Sequence, residues 1–295
     1  MHDHPKYAVS WVFALAVLAV LLGGPSQTVA LPILGSAADF AVLGGGGVTN
    51  TGATTITGDV AGNPTPAVTG LLPTQVTGTL FTAVTPVTTQ AQTDLGLAMA
   101  ALLAMTPDTT TIPDVPNNLD GRVLGPGVYA VPAETANLTG TLTLDGGGNA
   151  NALWVFQMPS TLITGASSVV ALQNTGAGAG VYWVVGSSAT LNASSTFVGN
   201  ILANQSISML DSVTVSCGRA LTQVASVTLI NDSINGGCTA LLGGSGDLAG
   251  GGDLSGGTIT PLPPAPTSVP EPSTLLLFGS GLAGLGGFVW RRRSS

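Results

Sequence analysis

Across its 295 residues the chain is unusually poor in charge: 7% of the residues are charged and the formal net charge is −8, with a mean hydropathy of +0.49. His2, His4 and Lys6 are its only histidines and lysine, and Arg122 and Arg219 are the only cations between them and a terminal arginine cluster. That distribution excludes nucleic acid as a partner, because phosphate binding needs clustered Lys and Arg. It also leaves Ser and Thr without the usual base that would activate them as nucleophiles.

In chain order, the first element is an address. Lys6 precedes an apolar run from Val9 to Leu22, and Gly23, Gly24 and Pro25 lead to Thr28-Val29-Ala30. This is the layout of a signal peptide over residues 1–30, cleaved after Ala30. The exported form then contains no histidine and no lysine.

Residues 31–242 form the folded core. Short β-rich segments, "TTITGDV", "TLTLDGGG", "ALWVFQM", "GVYWVVG", "SVTVSCG" and "SVTLIND", are separated by Gly, Asn or Asp, as strands joined by tight corners require. The last two begin at Ser212 and Ser226, a spacing that predicts stacked coils, and periodicity alone defines a β-rich solenoid. One segment differs. In "TPVTTQAQTDLGLAMAALLAMTP", Val87, Ala91, Leu95, Ala98, Leu102 and Met105 recur at intervals of four and three, which predicts one apolar helical stripe. Thr85 is placed to cap it, Pro86 to open it and Pro107 to end it. Cys217 and Cys238, the only cysteines, are expected to be disulfide-bonded in an exported chain. Such a bridge closes a loop of about 20 residues and stabilises by roughly 3 kcal/mol.

Residues 243–268, Gly-rich and then Pro-rich, read as a linker that is flexible first and stiffer later. Residues 269–295 hold Pro270, Glu271 and Pro272, an uncharged run from Ser273 to Trp290 long enough to span a bilayer, and Arg291, Arg292 and Arg293, which the positive-inside bias holds in the cytoplasm. This combination resembles the PEP-CTERM sorting signal, and the resemblance implies an exosortase-type processing enzyme and a transient or permanent transmembrane anchor.

The core carries a second resemblance. "FAVLGGGGVTNTGATTITGDVAGNP", the helix, "LGPGVYAV", "TLTLDGGGNANALWVFQM", "VYWVVGSSATL" and "GRALTQVASVTL" occur in an order similar to that of the microbial ice-binding-like family, over nearly all of residues 34 to 234. The resemblance implies a mainly β fold: an irregular right-handed β-helix of triangular section with one long α-helix packed alongside. It also implies ice, or an ordered water surface, as the partner.

The chemistry on offer fits a binding face better than an enzyme. Asp59, Asp145, Asp211 and Asp232 are scattered singly and suit turns, no aspartate-rich calcium loop occurs, and no catalytic residue, metal or cofactor is expected. Trp154, Phe156, Tyr182 and Trp183 could form a carbohydrate platform, but their strongly apolar strands place them in the core. Threonines on a flat β face offer methyls that restrain water and hydroxyls that bond it, on a grid of about 4.8 by 6.7 Å. The expected face residues are Thr51, Thr54, Thr55, Thr57, Thr141, Thr143, Thr164, Thr190, Thr214 and Thr228. "TGAT" at Thr51–Thr54 matches, and "TGAS" from Thr164 loosely matches, the T-(A/G)-x-(T/N) pattern of some family members. Since threonine is also an ordinary strand residue, an alternative stays open: a matrix or surface protein using the same fold for cohesion within an exopolysaccharide layer.

Overall fold

The structure is a computed structural model that describes residues 33–107, 118–131, 135–176 and 178–237, and the backbone of 252–255 and 258–261. The signal segment, Cys238 and the sorting segment lie outside these residues. Three parallel sheets are visited in turn by the chain. The helix-side sheet runs, in spatial order, β6 (Leu80–Phe81), β4 (Asp59–Gly62), β1 (Phe40–Gly44), β20 (Ala220–Thr222), β17 (Asn200–Ala203), β14 (Gly180–Val185), β11 (Leu153–Met158) and β8 (Gly127–Ala130). The second sheet runs β5 (Val68–Thr69), β2 (Val48–Thr51), β21 (Val227–Ile230), β18 (Ile207–Met209), β15 (Ala189–Leu191), β12 (Leu162–Thr164) and β9 (Ala136–Leu138). The third runs β3 (Thr55–Thr57), β22 (Ser233–Asn235), β19 (Thr214–Ser216), β16 (Thr196–Val198), β13 (Val169–Gln173), β10 (Thr141–Asp145) and β7 (Val123–Leu124). This is a three-sided β-helix.

Its coils do not stack in chain order. β1 pairs with both β4 and β20, so the first coils dock onto the last ones. The reason is α1 (Pro86–Ala104), the one α-helix among the described residues, which leaves the stack after β6. At 1.5 Å per residue it is about 28 Å long, and eight strands about 4.8 Å apart span about 34 Å. The helix thus returns the chain to the far end, where winding resumes and runs back toward β1. The spacing from Ser212 to Ser226 proves to join strands on different faces. The true stacking partners are Ser208 with Thr228 and Thr214 with Ser233, and the unequal steps from Ile163 to Thr190, Ser208 and Thr228 show that coil length varies.

Strand alternation sorts side chains between two cores. Inward residues such as Val48, Val227, Leu142, Val215 and Ile234 fill the solenoid. Along β14, Trp183 points into that interior while Tyr182 and Val184 face the helix. Phe156 and Trp183 stack at 4.0 Å with 6° between planes, Tyr129 continues the stack at 5.4 Å and Phe197 adjoins at 4.8 Å. Parallel register puts like residues above one another, and here it builds an aromatic ladder. The four aromatics that could have made a carbohydrate platform are all fully buried.

The helix starts as its sequence predicts: the Thr88 N–H donates to Thr85 Oγ1 (3.2 Å) and Pro86 opens the first turn. Its buried stripe is Thr88, Ala91, Leu95, Ala98, Met99 and Leu102. Val87, expected in that stripe, is exposed instead, because Thr88 turns inward to close the cap and to meet the Asn63 amide (3.1 Å). Within residues 243–268, the backbone of β23 (Gly252–Ser255) pairs antiparallel with that of β24 (Thr258–Pro261).

At the corners between the second and third sheets, Ser167, Ser194, Ser212 and Asn231 adopt left-handed backbone, with φ of 59°, 59°, 64° and 55°. Each stands two residues before its third-sheet strand. Inward parity is kept across three of these corners, from Leu162 to Val170, Leu191 to Phe197 and Met209 to Val215, but changes at the fourth, from Leu229 to Ile234, so a residue's face cannot be counted across a corner from sequence. The carboxylates work at such places. Asp59 accepts from the Thr79 N–H (2.7 Å), Asp145 from the Gly147 N–H (2.9 Å), and Asp211 from the Asn231 side chain (2.7 Å). Arg122 Nε donates to the Asn118 carbonyl (2.8 Å) and Arg219 Nε to the Ala38 carbonyl (2.7 Å).

Asp232 is the exception among the acids. It is buried, accepting from the Val213 N–H (2.9 Å) and the Ile230 N–H (2.8 Å). Desolvation pushes its carboxyl up to about 7 despite those hydrogen bonds, and the neighbouring Asp211 adds to the rise. Because the folded form holds this proton more tightly than an unfolded Asp does, the associated stability is complete below about pH 4 and is lost as pH rises toward 7. The thermal midpoint should therefore fall between pH 5 and pH 8, by an amount equivalent to a loss on the order of 3 kcal/mol. Asp232→Asn should flatten that dependence. A midpoint equally pH-dependent in the variant would contradict it.

Candidate functional site

The second sheet presents an outward grid in two ranks. Cα partners place Thr69, Thr49, Thr228, Ser208, Thr190, Ile163 and Asn137 side by side across seven strands, and a bridge adds Asn118. Two residues earlier on each strand stands a second rank: Ala67, Gly47, Ser226, Ser206, Ser188, Thr161 and Thr135. Backbone bonds such as Ala189 N–H to Ser206 O (2.9 Å) and Leu162 N–H to Ser188 O (3.1 Å) hold that rank in step. Each coil thus shows a triplet, SVT, SIS, SAT, TLI, TAN, GVT or AVT, whose middle residue is apolar and points inward.

The outer residues are all exposed or half-buried except Gly47, and none is charged. Within the earlier rank, hydroxyls partly satisfy one another: Ser206 Oγ donates to Ser188 Oγ (3.0 Å) and Thr161 Oγ1 to Thr135 Oγ1 (2.8 Å). Thr69 and Thr49 Oγ1 are 3.5 Å apart, too long to saturate either. A surface of this kind offers water fixed, neutral bonding positions alternating with methyl groups, at the spacing of a parallel sheet.

The residues expected from sequence divide among three places. Thr190 and Thr228 stand in the central rank of the second sheet, with Thr51 exposed at its edge beside Ile230. Thr55, Thr57, Thr141, Thr143 and Thr214 face outward from the third sheet. Thr54 and Thr164, expected to face outward, are fully buried. Thr54 Oγ1 accepts from the Asp232 N–H (3.1 Å), and Thr164 Oγ1 accepts from the Asn192 N–H (2.9 Å) and lies 3.0 Å from Ser195 Oγ. Both hydroxyls satisfy the backbone where the chain rounds a corner. "TGAT" is accordingly a corner, with Gly52 at φ 84°, and not a row on the face.

Thr49, Thr69, Ser208, Asn137 and the whole earlier rank were not singled out from the sequence. The signal that could have found them is the small-or-hydroxyl, apolar, hydroxyl-or-amide triplet, visible only once triplets from different coils are aligned.

Fold and site together define a three-sided β-helix with an uncharged hydroxyl face. Residues 42–235 match the Ice-binding-like family and residues 268–293 the PEP-CTERM protein-sorting motif. The chain belongs to the ice-binding-like family. It is 38% identical over 295 residues to an ice-binding protein of Nostoc sp. (strain HG1), covering 98% of this chain and 96% of that one. Among solved structures, the ice-binding protein of the Antarctic ascomycete Antarctomyces psychrotrophicus superposes with a TM-score of 0.61 at 36% identity, over 68% of this chain and 96% of that one. An ice-binding protein from an Antarctic biological consortium gives 0.62 at 32% identity, over 71% and 93%.

Proposed function

We propose that this protein binds ice through the outward face of its second sheet. The observation that carries the reading is the two-rank, uncharged grid held in register across seven strands; the ice-binding relatives support it. Water ordered on such a face can merge with a crystal surface, because no charge there gathers a competing, mobile hydration shell. The test is thermal hysteresis and recrystallisation inhibition by the purified protein, with and without a bulky substitution in the central rank. Cohesion in an exopolysaccharide layer gains nothing from the structure, since the aromatics suited to sugar stacking are buried.

Export frames this activity. The PEP-CTERM motif marks the chain for sorting at the cell envelope. Our reading is that residues 1–30 are removed after Ala30 and that an exosortase-type enzyme processes residues 269–295, with Ser273–Trp290 as a transient membrane segment. Among the described residues no helix is long and apolar enough to cross a membrane, and this run lies outside them. Cys217 is buried and is not a free thiol, and we assign Cys238 as its partner. One measurement checks these points. The intact mass of the envelope form should correspond to a chain beginning at Leu31, lacking Arg291–Arg293, and inert to alkylation until reduced. An intact C-terminus would leave a simple anchor, and alkylation without reductant would refute the bridge.

A further inference from the structure

We infer that the third sheet carries a second, shorter ice-adsorbing face, an inference that rests on ice being the ligand. Its outward residues form two ranks at one end of the solenoid. Thr55, Ser233, Thr214 and Thr196 are Cα partners in one rank, and Thr57, Asn235 and Ser216 in the other. The triplets TIT, SIN and TVS repeat the plan of the second sheet: inward Ile56, Ile234 and Val215 are buried, and the flanking polar residues are exposed or half-buried. Thr55 Oγ1 and Ser233 Oγ stand 3.5 Å apart, the same open spacing as Thr49 and Thr69 on the neighbouring face.

The grid stops where its chemistry changes. Val198 in the second rank is buried, and farther along Val169, Ala171 and Val123 flank Thr141 and Thr143 and break the rows of polar residues, with Asp145 and Gln173 beyond. The uncharged part therefore covers three complete coils and half of a fourth. It adjoins the second-sheet face through the corner residues Ser194, Ser212 and Asn231, where the one exposed carboxylate, Asp211, is held by the Ser212 hydroxyl (3.1 Å) and the Asn231 amide (2.7 Å). A neutral surface of this register matches a neutral, hydrogen-bonding crystal, and it lacks the charge or the exposed aromatic groups that a protein or sugar partner would use. Two faces at an angle to one another would let one molecule adsorb to differently oriented planes of a crystal.

The experiment uses the fluorescently labelled exported protein on a single-crystal ice hemisphere, recording which planes are decorated. Thr214→Tyr obstructs the third-sheet grid, Thr228→Tyr the second-sheet grid, and a double variant both. Ser233→Tyr replaces Thr214→Tyr if the melting transition shows that variant to be misfolded. Expected results are loss of one set of decorated planes with Thr214→Tyr, residual adsorption with Thr228→Tyr, and none with the double variant. Wild-type decoration by both third-sheet variants, with adsorption abolished by Thr228→Tyr alone, overturns the second face while sparing the first. Full decoration by the double variant overturns both.

Discussion

Thr228→Tyr removes most of the thermal hysteresis while leaving the melting transition nearly in place; this is the result expected if the second sheet is the main ice-binding face. Thr228 sits between Thr49 and Ser208 in the central rank, with Ser226 beside it on the same strand. A tyrosine there stands above a surface of mostly Thr, Ser and Asn, none of its residues as tall as tyrosine, so the crystal and the face can no longer approach over several coils at once. The fold should not notice. Thr228 is half-exposed, the inward neighbours Val227 and Leu229 are untouched, and surface substitutions away from special features usually stay within about 0.5 kcal/mol. Thr228→Ser serves as the control: it keeps the hydroxyl and the profile, removes one methyl, and should retain most of the activity. Unchanged hysteresis in the tyrosine variant would refute the assignment of this face.

The largest effect on stability is expected inside the solenoid. Trp183 is fully buried, stacked on Phe156, adjacent to Phe197, and bonded through Nε1 to the Val198 carbonyl (2.9 Å). Trp183→Ala removes the ring contacts, leaves a cavity and strips that carbonyl of its partner. Truncations of this type cost about 3–5 kcal/mol. For a domain of this size each kcal/mol shifts the midpoint by about 2–4 °C, so a fall of roughly 10 °C should appear in a thermal melt. Trp183→Phe keeps the stack and should lose distinctly less. Equal losses in the two variants would mean that the indole bond, and not the ladder, carries the stability.

Several features were legible in the chain because they are local. The Thr85 cap with Pro86 behind it, the unbroken apolar run of β14, the alternation of β21, the scarcity of charge and the sorting segment each depend on residues close in sequence. The helical stripe was right from Ala91 to Leu102 and wrong at Val87, where a cap contact with Asn63 outweighed periodicity.

Membership of a face is different in kind. In a parallel solenoid, neighbours on a face come from successive coils, and coils of unequal length break any fixed count. Corners of differing length add a second break: inward parity survives from Met209 to Val215 but not from Leu229 to Ile234, and at the corner before β3 Thr54 turns inward to accept from the Asp232 N–H. The helix adds a longer-range break by carrying the chain to the far end, so that Thr49 comes to lie beside Thr228. By itself, then, the sequence determined that this would be a charge-poor, threonine-rich β-solenoid made for export. Which hydroxyls share a surface was decided only by inter-coil hydrogen bonding, since register between strands distant in sequence is set by the packing of the interior.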